Sequence, residues 1–213
     1  MIQLLLQQHY VLFITIAFAL IFSLTFHEYG HGKVASLIGD DTAERAGRLT
    51  LNPLPHIDPL GLLMVLLIGI GYAKPVPTDP RKFNTRWGTL MVAAAGPGMN
   101  LLLAVVTINL YVIGFKLGIP LFKTPEAYEF FRTLGLINML LMLFNLLPIG
   151  PLDGSYIMPY VLPRNVALKY LRFNQSYGAY ALLILIALNF LGVPVFQTLW
   201  SLGQAMLNLV VFM

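Results

Sequence analysis

Apolar residues in this chain come in long runs, and the charged ones collect between them. From Val11 to Phe26 no residue is charged, and the apolar pattern continues through His27, Glu28 and His31, which predicts a helix from about Tyr10 to Ile38. A stretch punctuated by proline and glycine, Gly47 to Gly61, leads into Leu62 to Tyr72, well short of the roughly 20 apolar residues that span a bilayer. A re-entrant or interfacial segment is expected there. Lys74 to Arg86 contains Pro75, Pro77 and Pro80 and reads as a loop. Two further spans fit Trp87 to Phe115 and Phe130 to Leu147, with a polar link around Lys123 to Glu129. After the basic stretch Pro163 to Ser176, the tail from Tyr177 to Met213 is apolar and broken by Gly192 and Pro194. It is either one long kinked span or a helical hairpin. The pattern therefore predicts an all-α, polytopic membrane bundle of about four to six transmembrane segments, with a re-entrant segment between the first two full spans. Residues 1–213 form a single domain in this reading, with no internal repeat.

Composition sharpens the picture. With 58% hydrophobic and only 10% charged residues, no soluble fold class remains. The absence of cysteine excludes a disulfide framework, a cysteine-liganded zinc finger, an iron–sulfur centre and thiol catalysis. Thirteen Lys and Arg against nine Asp and Glu form no basic patch, so nucleic acid is not an expected partner. The positive excess reads instead as a topology signal: seven basic residues lie from Lys33 to Arg86, three from Lys116 to Arg132 and three from Arg164 to Arg172. The first and third groups share a side, which by the positive-inside rule is the cytoplasm of a multi-pass cell-membrane protein. A signal peptide is not expected, because the first apolar run lacks a basic leader and an A-x-A-like cleavage site.

Chemistry begins at His27-Glu28-Tyr29-Gly30-His31, an H-E-x-x-H sequence at the end of an apolar helix. Residues four apart on a helix lie one above the other, so both imidazoles can reach one ion while Glu28 stands beside it as a base. Charges at membrane depth are costly and are not placed there for packing. A catalytic zinc takes three protein ligands and keeps a fourth position for water. Asp40, Asp41 and Glu44 read as solvated loop charges, and Glu126 and Glu129 fall on the opposite side by the charge count, which leaves Asp153. Both halves of the site then lie near the cytoplasmic face. The competing role for Asp153 is an Asp-Gly turn that caps the next segment.

These residues resemble the site-2 protease family of intramembrane zinc metalloproteases, in which H-E-x-x-H on one helix is joined by the Asp of an N-x-x-P-x-x-x-x-D-G sequence on another. Here those are His27, Glu28 and His31, with Asn145, Pro148, Asp153 and Gly154. The resemblance extends to Gly96, Pro97 and Asn100, a Gly-Pro-x-x-Asn sequence, and to Arg48 to Asp58, which is similar to the family's re-entrant segment. The chain looks like the compact form, with no room for a PDZ or CBS domain. The resemblance implies one Zn²⁺ per chain on His27, His31 and Asp153, with Glu28 as the catalytic base. The expected substrates are transmembrane proteins cut within or near their membrane segments. Asn145 is expected either to bind substrate backbone and the developing oxyanion or to make a buried interhelical hydrogen bond.

The remaining polar residues have simpler readings. His9 is expected at the interface and His56 in a structural hydrogen bond. Ala93 to Gly98, with Ala94 and Gly98 four apart, and Gly30 and Gly32 read as close-packing positions between helices. Arg48 to Asn52 alternates polar and apolar residues before Pro53, and is expected to offer a strand edge to an unwound substrate. Two other classes remain open. A zinc transporter would want donors along a path rather than at one depth, and a catalytically silent, substrate-binding relative would typically lack a ligand or the base. A rhomboid-type serine protease lacks its nucleophile sequence here, since Ser155 after Gly154 is no G-x-S-G site.

Overall fold

The computed structural model describes residues 1–68 and 71–212. Residues 69 and 70 of the predicted short apolar stretch, and the last residue of the tail, lie outside the described residues. Every regular element among the described residues is a helix, and none is a strand. Short α1 (Ile2–Leu6) precedes α2 (Tyr10–Leu37), whose 28 residues extend about 42 Å at the helical rise, more than the hydrocarbon thickness of a bilayer. The end of α2 follows from its sequence: Gly39 takes φ +102°, its N–H donates to Ser36 O, and Asp40 N–H donates to Ala35 O. Glycine supplies the left-handed residue that such a double-bonded helix end requires.

Next come α3 (Thr42–Arg45) and α4 (Pro59–Ile68), the latter being ten residues that begin three before the predicted Leu62 and are too short to span. The second long helix, α5 (Gly88–Lys116), lies within one residue of the predicted span. The third, α6 (Pro125–Asn145), begins five residues before the predicted Phe130. Its start is local chemistry that hydropathy does not weigh: Thr124 Oγ1 accepts the Ala127 N–H and Pro125 occupies the first helical position. After α7 (Gly154–Ile157), α8 (Arg164–Phe190) takes in the basic stretch that precedes the apolar tail. It is followed at a 91° bend by α9 (Val195–Leu209), with Gly192 at φ +95° and Pro194 in the break.

Among the described residues, three helices, α2, α5 and α6, are long and apolar enough to cross a membrane, and the bent α8–α9 pair makes a fourth if it counts as one span. The molecule is a polytopic helical membrane protein. Its centre is a three-helix contact in which α5 packs on α2 and α6. Ala104 and Ile108 of α5 meet Leu136, Met139 and Met142 of α6 and Leu207 of α9. Lipid-facing positions such as Leu102, Val106 and Leu110 are exposed, as a bilayer solvent permits. Ala94 and Gly98 do share a face of α5, but it is this outward one, and a Cβ at Gly98 would meet nothing within 4 Å. Within the same Ala93 to Gly98 stretch, the small residues that are buried are Ala93 and Gly96.

Candidate metal centre

The C-terminal half of α2 carries His27 and His31 on the face turned toward α5, and both rings lie against Gly96. A Cβ there would overlap the His31 ring and stand 2.6 Å from His27 Nε2. Only glycine leaves room for two imidazoles against the helix backbone. Asp153 arrives from the loop after α6. Gly154 lets that loop fold back, since a Cβ would collide with the Leu146 and Leu147 carbonyls. Two side chains of α8 hold the loop in place: Gly150 N–H donates to Asn174 Oδ1 at 2.7 Å, and the Tyr170 hydroxyl donates to Pro148 O at 3.0 Å. Asp153 does stand at the N-cap of α7, but its side chain makes no capping bond. It turns to the histidines instead.

His27 Nε2 lies 3.2 Å from Asp153 Oδ2, His31 Nε2 lies 3.4 Å from Asp153 Oδ1, and the two Nε2 atoms are 3.0 Å apart. Among the described residues, these three form the metal-capable cluster of His, Asp and Glu. The outer ring nitrogens decide what the inner ones can do. His27 Nδ1 is 2.7 Å from Asn100 Oδ1, and His31 Nδ1 is 2.7 Å from Val92 O. Each acceptor requires an Nδ1–H donor, which leaves each Nε2 with a bare lone pair. Asp153 Oδ2 is buried and accepts no hydrogen bond. Three lone-pair donors facing one another without a shared proton repel unless a cation joins them. Four ligands at about 2.0–2.2 Å around a tetrahedral zinc stand about 3.3–3.6 Å apart, close to the separations here. Two imidazoles and a carboxylate are a zinc donor set, so the residues fit the ion.

Glu28, 8% exposed, has its Oε2 held by the Val76 N–H at 2.7 Å. Val76 belongs to an irregular strap over residues 73–79, flanked by Pro75 and Pro77, which meets α2 at this point. The strap is fixed at both ends. Lys74 N–H donates to His56 O, Arg48 Nη2 donates to Lys74 O, and Asp79 N–H donates to the Asp40 carboxylate at 2.6 Å. Burial raises the Asp40 pKa, but the Thr42 hydroxyl, the Asp79 and Thr42 amides and nearby Lys82 outweigh it and hold the carboxyl below its ordinary range. Asp79 is held at about 2 by the Arg81 guanidinium and backbone amide.

The other sequence-predicted residues stand apart from the cluster. Asn145 ends α6 and donates its amide to Leu141 O of its own helix at 3.0 Å. His56 is buried and structural, its Nε2 hydrogen-bonded to Thr50 O. That bond also bears on the predicted clamp, because Arg48 to Asn52 is folded into bends and offers no strand edge: Thr50 O is taken by His56, and Asn52 N–H by Thr50 Oγ1. The backbone that reaches Glu28 is the strap, through the Val76 N–H. Val92 O and the Val76 N–H were invisible in the sequence, since main-chain groups leave no residue signature. Asn100 stood out only through a family resemblance, and Gly96 through that and as part of the small-residue stretch Ala93 to Gly98.

Comparison with known proteins agrees with this geometry. The sequence profile of peptidase family M50 matches residues 15–124 and 117–189. Putative zinc metalloprotease YwhC of Bacillus subtilis is 40% identical over 169 residues, which cover 78% of this chain and 77% of the relative. Rip2 of Mycolicibacterium smegmatis is 36% identical over 151 residues, 67% of this chain and 55% of the relative. Zinc metalloprotease MJ0392 of Methanocaldococcus jannaschii is 26% identical over 193 residues, 90% of this chain and 48% of the relative. Against the last two, the chain spans about half the relative's length. No solved structure matches. With the matched profile covering most of the chain and the histidines and aspartate converging as a metallopeptidase requires, the protein belongs to peptidase family M50, the site-2 protease family.

Proposed function

We propose that this metallopeptidase hydrolyses peptide bonds within or near transmembrane segments of membrane protein substrates, using one zinc per chain on His27, His31 and Asp153 near the cytoplasmic face of the cell membrane. The observation that carries the reading is the meeting of three unprotonated donor atoms inside a bundle of membrane-length helices, with a carboxylate base one residue from the first of them. When bound, zinc supplies Lewis acidity, which makes water a nucleophile at neutral pH and polarises a peptide carbonyl. Glu28 takes the proton of the attacking water on the carboxylate oxygen that Val76 leaves free, and returns it to the departing amide nitrogen. Val76 holds the other oxygen and so fixes the direction in which the base points. Asn145 is assigned to the substrate backbone; its amide, now spent on Leu141 O, would exchange that bond for a substrate carbonyl. The substrate helix has to open first, because its scissile carbonyl is already hydrogen-bonded.

The test separates the base from the metal. Glu28→Gln keeps the shape but cannot accept a proton, so the variant should bind zinc as the wild type does while cleavage of a transmembrane peptide falls by at least about 100-fold, the scale of a general base. Zinc flux through liposomes at equal rates for wild type and variant, with no proteolysis by either, would support the transporter instead.

A further inference from the structure

A buried chain of amides leads away from His27 to a residue that the reaction does not touch. Asn100 of α5 and Asn138 of α6 are both fully buried, at 0% exposure, where α2, α5 and α6 meet. Asn138 Nδ2 donates to Leu134 O at 2.9 Å, Asn100 Nδ2 donates to Asn138 Oδ1 at 3.0 Å, and Asn100 Oδ1 faces His27 Nδ1 at 2.7 Å. The direction of this chain is forced from its far end. A main-chain carbonyl such as Leu134 O can only accept, so the NH₂ of Asn138 must point to it and the oxygen of Asn138 must point to Asn100. That oxygen also only accepts, so Asn100 presents its NH₂ there and its own oxygen to His27. His27 must then carry its proton on Nδ1. The Ser23 carbonyl, 3.3 Å from Asn100 Nδ2, favours the same orientation from α2 but over a longer contact.

We infer that Asn138, acting through Asn100, is a positioning residue that sets the tautomer of His27 and so keeps Nε2 free for the metal. A backbone carbonyl on the third span thereby selects which nitrogen of a ligand on the first span is available. The chain also couples metal competence to the packing of α2, α5 and α6, because the amides meet only when the three helices are in register. Two asparagines in a membrane bundle would otherwise be costly polar groups with no task. His31 needs no such relay, since its Nδ1 reaches the Val92 carbonyl directly.

The inference rests on the reading of His27 as a zinc ligand, and the experiment is arranged to tell the two apart. Full-length protein in detergent is prepared as wild type, Asn138→Leu, Asn138→Asp and His27→Ala. Zinc affinity is measured by chelator competition, and the ¹⁵N resonances of the His27 ring are recorded without metal. Asn138→Leu removes the oxygen that orients Asn100 and should weaken zinc about 10- to 100-fold, the range seen when a partner behind a metal ligand is lost. It should also populate the Nε2–H tautomer of His27. Asn138→Asp, kept protonated by burial, still accepts from Asn100 and donates to Leu134 O, and should bind zinc within a few-fold of wild type. A merely structural role would not move the tautomer. Wild-type affinity together with an unchanged Nδ1–H ring in Asn138→Leu would overturn the relay. So would an Nε2–H ring in the metal-free wild type, which needs no variant to fold. If His27→Ala itself binds zinc like the wild type, the ligand assignment falls; if it loses zinc while Asn138→Leu does not, only the relay falls.

Discussion

Gly96 is where the metal site is least forgiving of a single atom. A methyl group there would occupy the space of two imidazoles, and the rings cannot retreat without breaking their bonds to Asn100 and Val92. Gly96→Ala should therefore weaken zinc binding by more than about 10-fold, the cost of disturbing the groups that orient a ligand, while circular dichroism shows the helices intact. Unchanged affinity would mean that the rings do not pack on α5. At this scale the sequence was most informative about side chains whose chemistry is rare in a membrane. His27, Glu28 and His31 stood out by spacing, and Asp153 by elimination among the acidic residues. Asn138 did not stand out, because it carries no motif and meets Asn100 only through the packing of two helices. The proposed substrate contact of Asn145 would require its side chain to change partner on binding, since its present bond lies within its own helix.

Among the elements, it is the strap over residues 73–79, and not Arg48 to Asn52, whose backbone reaches Glu28. Prolines at 75 and 77 made the region legible as a loop but could not show that its Val76 N–H reaches across to α2. Asp40, buried just past the end of α2, ties down the far end of the strap by accepting the Asp79 N–H. Asp40→Ala would free that amide, and should lower Tm by about 5 °C and reduce turnover more than zinc affinity, as read by thermal melts and kinetics in detergent. The same anchor has a pH dependence of known sign. Asp40 and Asp79 are both lowered on folding from an ordinary value of 3.8, Asp79 to about 2, so the stabilisation is complete above about pH 4 and is lost as the pH falls toward 2. Melting temperatures that rise on acidification over this window would contradict the assignment. Helix boundaries show a similar division: α2 and α5 followed from hydropathy, whereas the starts of α6 and α8 depend on a Thr-Pro cap and on a proline before a basic helical turn.

For the whole molecule, the central question is which side of the bilayer the site faces. By the positive-inside rule, the basic residues before α5 and around the start of α8 predict the strap, the Asp153 loop and the ends of α2 and α6 on one side, and the link from Lys116 to Pro125 on the other. Trp87 fits a boundary position there, with Arg86 5.0 Å above its ring and Tyr160 5.7 Å away. Because the chain has no cysteine, single cysteines at positions 82 and 123 can be labelled from outside intact cells. Labelling at 123 and not at 82 is the expected result, and the reverse would invert the topology. The polytopic helical fold was legible from the apolar runs alone. The three-helix contact that brings residues 27, 31 and 153 together was not, because nothing in a lipid-facing run says which neighbour it will pack against. All of the mechanism depends on that convergence, and the zinc content of purified protein tests it most directly. Wild type should carry about one zinc per chain and Asp153→Ala almost none after dialysis, as a site with three protein ligands requires. Full zinc in the Asp153 variant, or none in a folded wild type supplied with the metal, would contradict the account.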